Sequence, residues 1–432
     1  MRNSLMILAL IFLNPSVYAA AKIDHWQTSQ GSQVFYVQTK GLPMVDIKVV
    51  FDAGSARDGS QYGIASLTSA LLDTGAGKWN ADQIAQRFES VGARFGASTS
   101  KDTAGLSLRS LTDEKLLNKA LKTMQVILSK PKFNENDFQR EKNRTLAGLK
   151  HREESPGAIA GIAYTNALYK NHPYAHPGSG VVETVSALSA ADLREFYQQY
   201  YVASNAMIVI VGDLTKRQAK STAESLASGL AVGAKPEPLP KVEFSKKGMK
   251  KHIEFPSAQT HVLSGLIGMH RKDKDYLSLY VGNHILGGSG LVSLLFNEVR
   301  EKRGLAYSAY SYFSPQLRKG SFTMGLQTKN NQTAEAVNVM HQTLKNFVDN
   351  GPTEKALIAA KKNITGGFAM RFDTNNKLTN YVAMIGFYQL PLDYLDTFQQ
   401  RVEAVTVASI KDAFKRRVKP ELLHTITVGG SK

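Results

Sequence analysis

Apolar residues repeat along the chain with two periods. β-Branched and aromatic residues dominate Gln33 to Gln38 and Val45 to Phe51, which predicts two strands, and Ala104 to Leu111 alternates as a third. Ala65 to Leu72 and Asp82 to Val91 carry the helical period instead. Leu116, Leu117, Ala120, Leu121, Met124, Ile127 and Leu128 repeat it across Glu114 to Leu128. A long polar helix is predicted from Glu135 to Lys150, stopped before Pro156. This part of the chain closes on a helix within Leu188 to Phe196, with Ser189 as its cap, and on the apolar strand Ala206 to Val211, which runs into Gly212-Asp213.

The same ending recurs near the C-terminus: Val405 to Phe414 reads as the helix, Thr425 to Val428 as the strand, and Gly429-Gly430 follows. Leu188 and Val405, Leu193 and Ile410, Val211 and Val428, and Gly212 and Gly429 are all 217 positions apart (429 − 212). A constant offset over this span predicts a duplicated unit, against the competing reading of chance similarity between common helix-then-strand patterns. Pro236, Pro238, Pro240 and the surrounding lysines mark residues 232–251 as a linker. The expected architecture is α+β, with homologous domains over residues 21–231 and 252–432.

At the N-terminus Arg2 and Asn3 precede the apolar run Leu5 to Leu13, then Pro15 and the small residues up to Ala21, the layout of a secretory signal peptide. Residues 1–20 are assigned to it, with cleavage after Ala19 or Ala21. A membrane anchor would need about 20 uninterrupted apolar residues, and Asn14 and Pro15 break this run. The expectation is an exported protein, periplasmic in a Gram-negative source and otherwise secreted, with no membrane span after cleavage. There is no cysteine, which removes disulfides, thiolate metal sites and a cysteine nucleophile. The 53 Lys and Arg against 36 Asp and Glu give a net charge of +17, a field suited to acidic peptides or an acidic partner subunit. The run Lys246-Lys247-Gly248-Met249-Lys250-Lys251 lacks interleaved aromatics, so no nucleic-acid partner is expected.

The densest chemistry lies in Asn283-His284-Ile285-Leu286-Gly287-Gly288-Ser289-Gly290 and in Leu294 to Ser308. These predict a helix, a glycine turn, a second helix carrying Glu298 and Arg300, a stop at Gly304, and a strand entered at Tyr307. Arg300 and Tyr307, seven residues apart, could hold a peptide carbonyl or the oxyanion formed when one is attacked. The alternative is a solvated Arg300 paired with neighbouring acids and a core Tyr307. Here the chain resembles the pitrilysin/insulinase-type (inverzincin) peptidases, which include the mitochondrial processing peptidases. The block Asn283 to Ser311 is similar to the family's second-domain segment, whose Arg and Tyr contact substrate. Asp52-Ala53-Gly54-Ser55, His172-Pro173-Tyr174 and the strand Ile208 to Asp213 extend the resemblance over nearly all the mature chain. It implies two domains, each a mainly antiparallel sheet with helices packed on it.

Active members also carry H-x-x-E-H in the first domain, with two zinc-binding histidines and a glutamate that activates the metal-bound water. On the corresponding stretch, Gly63 to Leu72, Ser66 and Ala70 stand at the histidine positions and Ser69 at the glutamate. Ala147 or Gly148 stands at the third ligand, with Glu141, Glu153 and Glu154 nearby. A methyl or hydroxyl group does not bind zinc tightly, so no metal is expected on this chain. The lone i,i+4 histidine pair, His172 and His176, is interrupted by Pro173, and His172 is read as holding a loop by hydrogen bonding.

The resemblance then implies a chain that supplies Arg300 and Tyr307 to a heteromeric peptidase, with zinc in a partner subunit bearing an intact H-x-x-E-H and peptides or unfolded polypeptides as substrates. On that reading the chain is inactive alone. The alternative is a stand-alone or self-associating peptide-binding or scaffold protein of the cell envelope.

Overall fold

The computed structural model describes residues 22–430; the segment read as a signal peptide lies outside them. The first half supplies β1 (Asp24–Gln27), β2 (Gln33–Gln38), β3 (Met44–Phe51), a two-residue-stranded hairpin of β4 (Gly75–Ala76) and β5 (Trp79–Asn80), β6 (Arg94–Thr99), β7 (Ala104–Leu111) and β8 (Ala206–Gly212). The second half supplies β9 (Met249–Glu254), β10 (Gln259–Ile267), β11 (Ala306–Phe313), β12 (Ser321–Lys329) and β13 (His424–Gly429).

The strands form two main sheets, in the orders β1-β2-β8-β3-β7-β6 and β11-β12-β10-β13-β9. Without the edge strand β1, the first order reads β2-β8-β3-β7-β6 and the second, reversed, β9-β13-β10-β12-β11. In both, the outer pair β2–β8 or β9–β13 is parallel and the other pairs are antiparallel. The helix before the closing strand keeps the sequence offset, Ala190–Tyr200 against Val407–Arg417, and begins with a capping box at Ser189 and at Thr406. One five-stranded plan with helices on its faces is thus built twice, as the sequence offset predicts.

Three departures from the sequence reading have local causes. A new helix, Pro156–Tyr169, begins at the proline expected only to end the previous one. Proline lacks an N–H that the first helical turn leaves unpaired anyway, and the Ser155 hydroxyl accepts from Ala158 N. β9 starts at Met249, three residues inside the stretch read as linker. Its lysines stay exposed along the outer edge, where charge discourages pairing with another chain. The second helix of the Asn283–Ser308 block is one short turn, Leu294–Phe296, continued as π-helix over Asn297–Glu301, and a π-helical bend at His284–Gly288 precedes it.

Each half lays a helix across the other's sheet. Pro156–Tyr169 crosses β10 and β13, and Asn375–Phe387 crosses β3 and β8. β8 is therefore buried at every position, which accounts for its unbroken apolar sequence. One core joins Phe35, Val50, Met207 and Val209 to Leu266, Val382 and Ile385; another joins Tyr164 and Leu168 to Ile426 and Val428. At the junction, the buried Asp102 carboxylate accepts from Tyr174 Oη at 2.5 Å and, across the halves, from Leu317 N at 2.9 Å and Tyr388 Oη at 3.0 Å.

Candidate functional site

The helix Ile64–Leu71 occupies the place of the expected zinc helix and packs against Glu135–Glu153. Ile64, Leu67 and Leu71 are buried in the first-half core. Ser69 is buried, Ser66 and Ala70 are half-buried, and Ala147 and Gly148 are exposed. Glu141 forms an ion pair with Arg144 at 2.5 Å, while Glu153 and Glu154 are exposed. Zinc needs three or four nitrogen, sulfur or carboxylate donors at one point, and the residues present do not fit it. Among the described residues, no group of three or more His, Asp or Glu side chains comes together in a way that could hold a metal ion.

Other contacts fasten this helix. Gly63 at its N-cap has φ 101°, a left-handed conformation. The buried Asp58 carboxylate accepts from Gly63 N at 2.8 Å, Ala65 N at 3.1 Å and His176 Nε2 at 3.1 Å. His176 also stacks on Tyr62, with ring centres 4.1 Å apart. His172 Nε2 bonds Pro240 O at 3.0 Å, and Tyr174 N donates to His172 Nδ1 at 3.1 Å. Both histidines hold loops against the body of the protein through these bonds.

Arg300 and Tyr307 meet where the π-helical turn gives way to β11. Gly304, at φ 62°, reverses the chain between them. Arg300 Nη1 donates to Tyr307 O at 3.2 Å, and its guanidinium carbon lies 4.4 Å from the Tyr307 ring centre and 5.0 Å from that of Phe296. Two aromatic faces therefore orient the guanidinium. Its Nε stands 4.0 Å from Glu301 Oε1, while Glu298 pairs instead with Lys302 and Arg303 at 2.6 and 2.8 Å. Tyr307 is 81% exposed, which removes the reading of a core tyrosine. The pair is a planar fork beside an accessible phenol at the start of β11.

Duplicated sheets exchanging helices, a degenerate first-half zinc helix and a second-half Arg–Tyr pair define a chain of the M16 peptidase type. The family model described as "Insulinase (Peptidase family M16)" matches residues 33–180, and the one described as "Peptidase M16 inactive domain" matches residues 187–364. A solved structure described as the peptidase M16 inactive domain from Pseudomonas fluorescens is 34% identical, with a TM-score of 0.92 over 95% of this chain and 98% of that one. The chain belongs to the M16 family. Its relatives include the "Uncharacterized zinc protease YmxG" of Bacillus subtilis, 28% identical over 83% of this chain and 86% of that protein. Another is the "Non-peptidase homolog YmxG" of Helicobacter pylori, 26% identical over 96% and 95%. With neither zinc ligands nor general base, this chain is a non-catalytic member.

Proposed function

We propose that this chain is the subunit of an exported heteromeric zinc peptidase that supplies Arg300 and Tyr307, while a partner bearing H-x-x-E-H supplies metal and base. In this division residues 21–231 form the domain with the degenerate site and residues 252–432 the domain with the Arg/Tyr pair. The observation that carries the reading is the contrast between the two motifs: Ser66, Ser69 and Ala70 have none of the first site's chemistry, while Arg300 and Tyr307 stand oriented and accessible. Peptide carbonyls of an extended substrate would accept from the guanidinium and phenol, which would favour the oxyanion developing on a bond cleaved by the partner. Export rests on the layout of residues 1–20, and among the described residues no helix is long and apolar enough to cross a membrane.

The test is affinity capture of the tagged mature chain from its native host, with mass spectrometry of co-eluting proteins. A stoichiometric H-x-x-E-H partner, giving a zinc-dependent peptidase when recombined with this chain, is the expected result. Recovery of the self-associated chain alone, or of an unrelated envelope assembly, would refute the heteromer and favour the peptide-binding or scaffold reading.

A further inference from the structure

Three exposed tyrosines, Tyr307, Tyr310 and Tyr312, succeed one another along β11. Tyr310 and Tyr312 point to the same face with near-parallel rings 6.0 Å apart. At the end of the strand away from Arg300, a cleft of about 540 Å³ opens between the halves, within the usual range for small-ligand sites. Lys101 and Asp102 line it from the first half, and Arg271, Tyr312, Gln316 and Tyr388 line it from the second.

Arg271 sets the chemistry of this cleft. Its Nη1 donates to Tyr276 Oη at 3.2 Å, and its guanidinium lies 5.2 Å from the Tyr388 ring centre and 5.8 Å from that of Tyr276. Its Nε is buried without a hydrogen-bond partner, as is Gln316 Oε1. The nearby acids already have partners: Asp273 and Asp275 pair with Arg416 and Arg417 at 2.7 to 2.8 Å, and Asp102, in the wall of the cleft itself, accepts from three donors of the junction. A buried guanidinium nitrogen without an acceptor is costly. Nε itself is shut off from solvent, so a carboxylate in the cleft would meet the guanidinium through a terminal nitrogen.

We propose that this cleft is a subsite for a peptide carboxylate, with Arg271 as its anchor and the tyrosines of β11 as the track leading to it. The proposal rests on the reading that Arg300 and Tyr307 hold a peptide. Tyr307 and Tyr312 are five residues apart, at most about 16 Å at strand rise, with a bulge between Ala306 and Ala309 shortening the run, so an extended peptide held at Arg300 reaches the cleft at Tyr312 with about five residues. The favoured substrates are then short peptides whose free C-terminus, or an acidic side chain near it, lies about five residues from the bond held at Arg300.

The experiment measures fluorescence anisotropy of the mature chain with three fluorescein-labelled octapeptides of one neutral sequence: the free acid, the C-terminal amide, and the amide with aspartate as its last residue. The free acid is expected to bind about tenfold more tightly than the amide. Binding of the aspartyl amide at the strength of the free acid would assign the site to any carboxylate near the peptide end, and binding like the plain amide would assign it to the C-terminus. Arg271→Gln is expected to abolish the preference, Arg271→Lys to restore it in part, and Arg300→Ala to weaken all three peptides while preserving their ratio. Equal affinities, no binding, a ratio that survives in a folded Arg271→Gln chain, or a ratio lost in Arg300→Ala would each overturn the proposal. Failure to capture an H-x-x-E-H partner while the Arg271-dependent ratio holds would refute the heteromer and leave the subsite standing.

Discussion

Asp102 offers the sharpest test of whether the halves behave as one body. Burial pushes its carboxyl pKa upward, against the Tyr174, Leu317 and Tyr388 donors that pull it down. Tyr388→Phe deletes one oxygen and one cross-half hydrogen bond, leaving Asp102 with its other two donors. A hydrogen bond to a charged group contributes about 1.5–3 kcal/mol, so this variant should lose about that much stability. Asp102→Ala strands all three donors and should cost about 3 kcal/mol or more. In a double-mutant cycle the pair should couple by about 1.5 kcal/mol. Urea unfolding can follow the halves separately, because both tryptophans, Trp26 and Trp79, belong to the first half, whereas far-UV circular dichroism reports both. The shared cores predict coincident transitions in the parent chain and a joint shift of both midpoints in Tyr388→Phe. A coupling below about 0.5 kcal/mol, or a fluorescence transition separate from the dichroism transition in the parent, would refute the argument that this junction binds the halves into one unit.

In a reconstituted heteromer, Arg300→Ala should slow turnover by about 100-fold, the scale for losing one oxyanion donor, without preventing assembly; unchanged kinetics would refute its role. The purified chain alone should contain no stoichiometric zinc and show no peptidase activity, measured by metal analysis and a quenched-peptide assay, and a metal equivalent removed by chelator together with activity would contradict this. Chelator should also leave the urea midpoint unchanged, whereas Asp58→Ala should lower the unfolding free energy by about 2 kcal/mol or more, because Gly63 N and Ala65 N lose their acceptor and His176 keeps only Ser55 O. Acid should destabilise the fold in two windows. Burial lowers His341 from 6.5 to about 4, so the stability of its neutral form is present above pH 6.5 and lost as pH falls towards 4. Hydrogen bonds from Arg416 and Arg417 lower Asp275 from 3.8 to about 2, so its stability is present above pH 3.8 and lost as pH falls towards 2. His341→Gln should shrink the first window in a series of urea melts, leaving the part due to His172, His261, His284 and His424, which burial also lowers, and should leave the second window unchanged.

What the sequence disclosed was whatever depends on neighbours along the chain. The strand Gln33–Gln38 falls where its β-branched and aromatic content places it and Ala104–Leu111 where the alternation does, and the Ser189 cap is read from residues next to it. The duplication was legible because a shared offset survives in the helix and strand that close each half. Contacts made across the duplication were not legible. The crossing of Pro156–Tyr169 onto the second sheet leaves no local mark, since its buried face is apolar whichever sheet covers it. Asp102 is an ordinary loop acid until Leu317 and Tyr388 arrive from more than two hundred residues away. Arg271 carried no motif, and only the alternation Tyr310-Ser311-Tyr312 hinted that one face of β11 was aromatic. The π-helical turns were equally hidden: Asn297–Glu301 reads as ordinary helix and His284–Gly288 as a glycine turn, and both pack on β11.

The degenerate zinc helix and the retained Arg–Tyr pair have different physical standing. A zinc helix that has lost its ligands usually also loses the bond energy that fixed it. Here Asp58, His176 and the apolar face of Ile64, Leu67 and Leu71 hold the helix instead, so the fold does not depend on metal. Arg300 and Tyr307 contribute little to the fold in return: their mutual contacts lie at the surface, and an 81% exposed tyrosine buries little apolar area. Packing therefore explains why the first site can be serine and alanine without unfolding the chain, and it does not explain why the second carries an oriented guanidinium and phenol. Under the function proposed above, a surface pair that stability does not require would have its account in a bound peptide, and the tyrosines that continue from it along β11 would give that peptide its track.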